Sequence, residues 1–291
     1  MITAGYRLAK ANAPFCKNKW RNPGWVLHSY QQYPDRDTAR AAFDFPLPVA
    51  IAALVEGGPA DQAGLRTGES FSDLPGGIWW GADPVRHKPS FALVDIVNIR
   101  VNALFDGGQA VGLLVRGKPG EAERRVTIEP PAICASYFII SSNGQDDAGA
   151  DGQYVRVSAA LAQYTPDADE FAAIVAHELA HNILEHRKRL DAMNVQRGIG
   201  RMFGKSKKAF LQTEMEADQL SVWLMVNAGY DPAAAVRFWQ RRGPDKDKGL
   251  FSDGTHMGWR DRIKILQAEI EHIQTLNQNR LPHEPPLLAK M

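Results

Sequence analysis

Two histidines and a glutamate stand at a spacing that could hold a metal ion: His177, Glu178 and His181, within the run HELAH. On an α-helix, residues four apart lie on one face, so both imidazoles could bind one ion with Glu178 beside them. Zinc held by neutral imidazoles lowers the pKa of its bound water to roughly 7, and a neighbouring carboxylate can then accept the proton. The pattern therefore predicts a zinc site for hydrolysis, with His177 and His181 as ligands and Glu178 as general base.

The alternative is that these are ordinary core histidines, and the surrounding sequence bears on that choice. Residues 165–190 are predicted to form one long helix, with Thr165 as its N-cap and Pro166 at its first position. Apolar side chains and alanines surround the motif on nearly every side, so the helix is predicted to be buried. Buried histidines and a buried glutamate are costly unless something pairs with them, and a metal ion is the most economical partner.

A second helical run, over residues 213–224, offers the carboxylates Glu214, Glu216 and Asp218. Glu214 and Asp218 are four apart and share a face, whereas Glu216 points away. A catalytic zinc bound by two histidines needs one more protein ligand and keeps one position for water. We therefore expect Glu214, rather than Glu216, to be the third ligand. Asp218 is expected to accept the remaining N–H of a ligand histidine and so to fix its tautomer.

The composition is that of a soluble globular protein large enough for two modest domains. The chain has 291 residues, 44% of them hydrophobic and 23% charged, with a net charge of +1. This balance argues against general binding to nucleic acids or to membrane surfaces, although local charged patches remain possible. No apolar run approaches the length of about 20 residues that spans a bilayer. The N-terminal run MITAGYRLAK lacks the pattern of a signal peptide, so we expect either a cytoplasmic protein or one whose signal has been removed. Cys16 and Cys134 fit one disulfide or two inert thiols.

Four segments are predicted along the chain: an N-terminal extended segment at 1–41 with a short helical start around residues 6–12, a β-rich module at 42–130, a metal-binding domain at 131–278 and a proline-rich tail at 279–291. Apolar runs between turn signals predict strands, and one amphipathic run predicts a closing helix. The strands are expected at 49–55, 113–116, 125–129, 133–140 and 153–158, and the helix at 260–276. The basic segment 187–213 is predicted to be a solvated connection, with a lid over the site or an anchor to an anionic membrane surface as the alternatives.

The run GGPADQAGLRTGE, residues 57–69, resembles the signature of bacterial PDZ domains, with Glu69 where an aspartate is usual. This resemblance implies that the module at 42–130 binds extended peptides as an added strand. Its carboxylate-binding loop would precede Val49, where Pro46 and Pro48 remove backbone donors. A peptide-binding module and a purely structural one both remain open.

The run HELAHNILEH followed by EMEAD resembles the zinc metallopeptidases typified by the CAAX prenyl protease and the heat-shock protease HtpX. The resemblance covers roughly residues 130–275 and implies that Glu214 binds the zinc and that Asp218 is the aspartate of the second motif. The run THMGWRDR, residues 255–262, is similar to a further motif of that family. It implies that His256 stabilises the oxyanion or gates the site, and that Arg262 holds this loop or the carboxylates of the site.

The resemblance implies an α+β protein in which a PDZ-like β module precedes a mainly helical gluzincin metallopeptidase domain with a small sheet. In gluzincin-type proteases a strand near the metal helix often serves as the edge for an extended substrate, and 153–158 is the expected strand. The implied activity is that of a zinc endopeptidase, with one zinc per chain, acting on misfolded or envelope polypeptides. Without transmembrane segments, the chain resembles the soluble, exported branch of this family. That branch implies a periplasmic protein and makes a disulfide between Cys16 and Cys134 plausible.

Two alternatives belong to other functional classes. One is a chaperone-like protein that binds misfolded polypeptides while its zinc site is plugged, with His256 as a fourth protein ligand. The other is a peptide-binding protein that depends on the PDZ-like module and has no turnover.

Overall fold

The computed structural model of the protein describes residues 1–77, 88–118, 120–142, 147–195, 204–246, 257–276 and 281–289. The fold is mixed α+β, as the sequence predicts. The chain divides into two compact units. Unit 1 contains Met1, Thr3–Lys19 and Ile133–Met291, and unit 2 contains Ile2 and Trp20–Ala132. The two short strands β1 (Lys19–Arg21) and β7 (Ala132–Cys134) stand where the chain passes from one unit to the other.

Unit 2 is built from antiparallel strands and short helices. One pair consists of β2 (Trp25–Ser29) and β3 (Val49–Leu54), and a three-stranded sheet has the order β4-β5-β6, with strands at Ser70–Asp73, Val111–Arg116 and Arg124–Ile128. The predicted strand at 49–55 and the predicted hairpin after residue 113 are confirmed. The helices are α2 (Arg36–Phe43), α3 (Pro59–Gln62) and α4 (Ala92–Phe105). Helix α4 was not predicted from the sequence.

The core of unit 2 explains why its boundary lies near residue 20 and not at 42. Trp25 and Leu27 alternate along β2 and point into the core. The Trp25 ring lies 4.9 Å from Phe71 and 6.4 Å from Phe105, measured between ring centroids. Glu69, the departure from the PDZ signature, is only 3% exposed and accepts hydrogen bonds from Arg66 and Arg124.

In the N-terminal part of unit 1, the helical start predicted around residues 6–12 is confirmed and begins earlier than predicted, whereas the rest of 1–41 is predicted to be extended. The helical start forms helix α1 (Ile2–Ala11), which buries Leu8 and Ala9 completely. After it, the buried Asn12 side chain donates a hydrogen bond to the Leu224 carbonyl at 3.1 Å. The disulfide implied by the family resemblance is confirmed: Cys16 is bonded to Cys134, with 5.5 Å between their Cα atoms.

The small sheet of unit 1 consists of β8 (Tyr137–Ser141), β9 (Ala148–Ala150) and β10 (Tyr154–Ser158), in the order β8-β10-β9. The single strand predicted at 133–140 is wrong, because buried Ser136 separates β7 from β8 and accepts a hydrogen bond from Asn182 Nδ2 at 3.0 Å. The expectation that 153–158 forms an edge is also wrong. Strand β10 pairs with β8 on one side and β9 on the other, so β9 is an outer strand.

Six helices complete the described part of unit 1. They are α5 (Ala159–Tyr164), α6 (Ala168–Ile183), α7 (His186–Ala192), α8 (Gly204–Asn227), α9 (Ala233–Lys246) and α10 (Trp259–Gln274). The helices predicted at 213–224 and 260–276 are confirmed as parts of α8 and α10. None of the helices in the described ranges has both the length and the apolar character that a membrane span requires.

The prediction of one helix over 165–190 is wrong at both ends. Pro166 disfavours a helical conformation for Thr165, which is extended. The helix instead begins after Asp167, whose side chain accepts a hydrogen bond from the Glu170 backbone N–H at 2.8 Å. It ends at Ile183, with Leu184 as its C-cap, because Glu185 adopts the left-handed conformation with φ of 50° before α7 begins.

The part of the predicted tail that the structure describes is fastened to α8. The His283 backbone N–H donates to Asn227 Oδ1 at 2.7 Å, and Asn227 Nδ2 donates to the His283 carbonyl at 2.8 Å.

Candidate metal centre

Two helices bring together the three side chains that the sequence predicts as metal ligands. His177 and His181 lie one turn apart on α6, and Glu214 lies on α8, which packs against α6. The Nε2 atoms of the two imidazoles are 3.2 Å apart. The Glu214 carboxylate lies 3.6 Å from His177 Nε2 and 3.5 Å from His181 Nε2.

The chemistry of this donor set fits a zinc ion. One nitrogen or oxygen atom from each of the three side chains lies within 4.8 Å of the others. Two imidazole nitrogens and one carboxylate form the usual protein ligand set of a catalytic zinc with an open position. The His177, His181 and Glu214 side chains are each between 12% and 16% exposed, so a bound ion would be largely screened from bulk water.

Asp218 and Arg262 lie behind His177, which is the place expected for Asp218 from the sequence. Asp218 Oδ1 is 3.0 Å from His177 Nδ1. The Arg262 guanidinium donates from Nε to Asp218 Oδ2 at 2.7 Å and from Nη2 to Asp218 Oδ1. Arg262 Nη1 is also 3.6 Å from Glu214 Oε2. This buried ion pair gives Asp218 a fixed orientation toward the ring of His177.

A second chain of polar contacts lies behind His181 and was not predicted. His186 Nδ1 is 2.8 Å from His181 Nδ1, and His186 Nε2 is 3.0 Å from Glu216 Oε2. Glu216 pairs with Arg189, with Nη1 to Oε2 at 2.6 Å, and accepts a hydrogen bond from Gln212 at 2.8 Å. Glu216 does point away from the candidate ligands, as predicted, but it has a partner in His186.

Sequence spacing did not reveal His186, although it ends the run HELAHNILEH. It follows His181 by five residues, which on a continuous helix places the two side chains about 140° apart. The break at Glu185 brings the rings together instead.

The two candidate ligand imidazoles have opposite pKa shifts. Burial and the Arg262 guanidinium disfavour protonation of His177, but hydrogen bonds to Asp218 and Glu214 outweigh them and raise its pKa to about 9. Burial and the neighbouring His177 lower the pKa of His181 to about 3. Asp218 and Glu214 thus favour a positive charge on the His177 ring.

The carboxylates behind the rings are ionised at neutral pH. Burial alone would raise the pKa of Asp218, yet Arg262 and His177 lower it. Burial likewise opposes ionisation of Glu216, but His186, Arg189 and Gln212 lower its pKa to about 2.

The candidate ligands face a cavity of about 900 Å³ in unit 1. Glu178 lines this cavity with them, and its charge acts on Arg262. The outer strand β9 contributes Ala148, Gly149 and Ala150 to the wall. Much of the remaining lining is apolar or aromatic, from Leu161, Ile174, Phe238, Trp239, Met257 and Trp259. The cavity therefore offers a backbone edge and an apolar surface beside the three ligands.

Two predictions lie wholly or partly outside the described residues. His256 is not among them, so its role stays a prediction from sequence. The basic segment 187–213 is described up to residue 195 and again from 204, where Lys205 and Lys208 are exposed in the first turns of α8.

One comparison with known proteins covers this site. Residues 136–208 match the model of peptidase family M48. The matched stretch contains β8, β9, β10 and the whole of α6, with His177, Glu178 and His181, and ends before Glu214. A comparison with curated proteins found no significant match. The family match supports the activity of a zinc-dependent peptidase, a hydrolase whose substrates are polypeptides. Over this segment, the chain is similar to the M48 metallopeptidases.

Proposed function

We propose that the protein is a zinc endopeptidase of the type represented by HtpX and the CAAX prenyl protease, with one zinc per chain. The observation that supports this most is the convergence of His177, His181 and Glu214 within 4.8 Å at the wall of a cavity. These three residues would hold the metal. Zinc bound there supplies a Lewis acid that activates water and polarises a peptide carbonyl.

The remaining residues of the site have separate roles in this proposal. Glu178 accepts a proton from the attacking water and delivers it to the leaving nitrogen. Asp218 orients His177, and Arg262 holds Asp218 in place. His256 is proposed to stabilise the oxyanion or to gate the site, on the basis of its sequence motif.

An extended polypeptide is the substrate that suits this cavity. Strand β9 lines it, and among the described residues β9 is paired on one side only, with β10. A substrate could add to β9 as a further strand, and the Ala-Gly-Ala sequence leaves room for its side chains. An unfolded segment adopts this extended conformation readily, which supports misfolded proteins as substrates. The Cys16–Cys134 disulfide supports an oxidising compartment such as the periplasm.

Unit 2 is proposed to be a PDZ-like module with a mainly structural role. Its strands and α4 are compatible with such a module. However, the Phe45 ring, in the segment expected to bind a peptide carboxylate, lies 4.4 Å from His28 and 5.8 Å from Tyr30 between ring centroids. These aromatic contacts and the adjacent prolines favour packing over peptide capture.

The test combines zinc content with cleavage of unfolded casein on the same sample. We expect one zinc per chain and cleavage that stops on chelation and returns with zinc. Glu178→Gln should retain zinc and lower cleavage by about 10²–10⁴-fold, because it removes only the general base.

The matched control is Glu271→Gln, on the exposed surface of α10, which should cleave at the parent rate. Cleavage by Glu178→Gln at the parent rate would refute the mechanism. Bound zinc without any cleavage in the parent protein would favour the chaperone-like alternative.

A further inference from the structure

We propose that His186 and Glu216 form a hydrogen-bond relay that fixes the tautomer and ring orientation of His181. His186 is therefore a positioning residue for the metal centre. This inference rests on the proposed zinc-binding function. The relay runs from the Glu216 carboxylate through the His186 ring to the His181 ring.

The direction of the relay follows from which atoms can donate. An ionised carboxylate only accepts hydrogen bonds, so His186 Nε2, at 3.0 Å from Glu216, carries a hydrogen. A neutral imidazole then has a lone pair on Nδ1. Since His181 Nδ1 lies 2.8 Å from that lone pair, His181 donates from Nδ1 and has its own lone pair on Nε2. Nε2 is the His181 atom that faces His177 and Glu214.

The backbone is shaped to make this contact. Glu185 holds the left-handed conformation with φ of 50°, which is strained for a residue other than glycine and persists only where the surroundings require it. This break between α6 and α7 turns His186, which is 2% exposed, back onto His181. The Glu185 side chain is itself anchored, since it accepts a hydrogen bond from Asn18 Nδ2 at 3.2 Å.

Glu216 is held from two further directions, so it presents one defined oxygen to His186. Arg189 donates to both carboxylate oxygens, at 2.6 Å and 3.3 Å. Gln212, one turn earlier on α8, donates to Oε1 at 2.8 Å. The relay thus connects His181 to groups on both α7 and α8, and it orients the ring before any ion binds. Groups that orient a ligand histidine in this way contribute roughly 10–100-fold to metal affinity.

Two substitutions of His186 separate the two halves of the relay. An asparagine amide occupies the position of Nδ1, so His186→Asn can still accept a hydrogen bond from His181. A glutamine amide reaches the position of Nε2, so His186→Gln keeps a partner for Glu216 and loses the contact with His181. His272→Gln, on the exposed face of α10, is the control.

The first readout is the histidine ring tautomers of the metal-free protein, measured by NMR with ¹⁵N-labelled histidine. We expect hydrogen on Nδ1 of His181 and on Nε2 of His186 in the parent protein and in the control. His186→Gln should lose the Nδ1–H form of His181, and His186→Asn should keep it. Hydrogen on Nε2 of His181 in the parent protein would overturn the relay, and this measurement does not depend on the stability of any variant. An unchanged His181 tautomer in His186→Gln would also overturn it.

The second readout is zinc affinity, measured by competition with a chromophoric chelator. We expect His186→Gln to bind zinc about 10–100-fold more weakly than the parent protein, with His186→Asn closer to the parent. Equal affinity in His186→Gln and the parent would overturn the positioning role. If the tautomers are as expected but the parent protein does not bind zinc, the relay stands and the proposed zinc enzyme fails.

Discussion

The two candidate ligand histidines lie one turn apart on the same helix, yet they are supported in different ways. His177 contacts an ionised carboxylate directly, because Asp218 lies 3.0 Å from its Nδ1. His181 contacts a second imidazole, and the carboxylate of Glu216 lies one ring further away. Both carboxylates come from α8, where they stand two residues apart.

One helix, α8, thus supports both ligand histidines, but along two different routes. Asp218 shares a face of α8 with Glu214, so it reaches the site directly. Glu216 points away and can act on the site only through a bridging ring. The cation behind Asp218 is buried Arg262, whereas the cation behind Glu216 is Arg189, whose side chain is 40% exposed. We therefore expect the support of His177 to affect zinc affinity more strongly than that of His181.

Removing the carboxylate that both histidines share should have the largest effect. Glu214→Gln replaces an anionic ligand by a neutral amide, and zinc affinity should fall by more than the roughly 10–100-fold expected for a supporting group. Competition with a chelator measures it. Glu271→Gln is the control, and an unchanged affinity in Glu214→Gln would show that this residue is not a ligand.

Substitution of Asp218 comes next. Asp218→Asn keeps the shape but loses the charge that faces His177 and Arg262, so we expect zinc affinity to fall toward the upper end of about 10–100-fold. Glu216→Gln should lower it toward the lower end of that range. If Glu216→Gln is the more damaging of the two in the chelator competition, the direct contact is not the stronger support.

Among the groups that support His177 and His181, Arg189 should have the smallest effect on zinc affinity. Arg189 is partly exposed, so its ion pair with Glu216 is screened by solvent and contributes no more than about 1 kcal/mol. Arg189→Met should therefore weaken zinc binding by less than about 5-fold. Lys10→Met, at an exposed position of α1 in the same unit, is the control. A loss of tenfold or more would show that Arg189 is essential to the relay.

The sequence predicted the half of the site that depends on helical spacing. His177 and His181, and Glu214 and Asp218, are pairs four apart, and this spacing alone places each pair on one face. His186 was missed because it enters the site only where the helix breaks, and Glu185, an ordinary residue for a helix, gives no sign of a left-handed turn. Strand order was missed for a similar reason, because the alternation in 153–158 does not reveal whether β9 pairs beside it.

Local sequence patterns did not reveal the domain boundaries either. Residues 1–41 look irregular in sequence, yet the Cys16–Cys134 disulfide joins their first part to unit 1 and the Trp25 ring places their later part in the core of unit 2. Both contacts join residues more than 40 positions apart. Periodicity over a short window carries no information about such contacts.

His28 of unit 2 can be compared with His177 and His181. It is buried among aromatic rings. It is 5% exposed, its Nδ1 lies 3.0 Å from the Tyr33 hydroxyl, and burial lowers its pKa from 6.5 to about 4. The unfolded chain therefore binds more protons between about pH 4 and 6.5, so the free energy of unfolding should fall as the pH is lowered through this window, by up to about 3 kcal/mol. Denaturant unfolding of the parent and of His28→Asn at several pH values measures this, and the variant should lack that part of the slope.

Zinc affinity at neutral pH should be the same in both proteins. An unchanged slope in His28→Asn would show that His28 is not the group that titrates, and a change in zinc affinity would show that its role is not confined to unit 2.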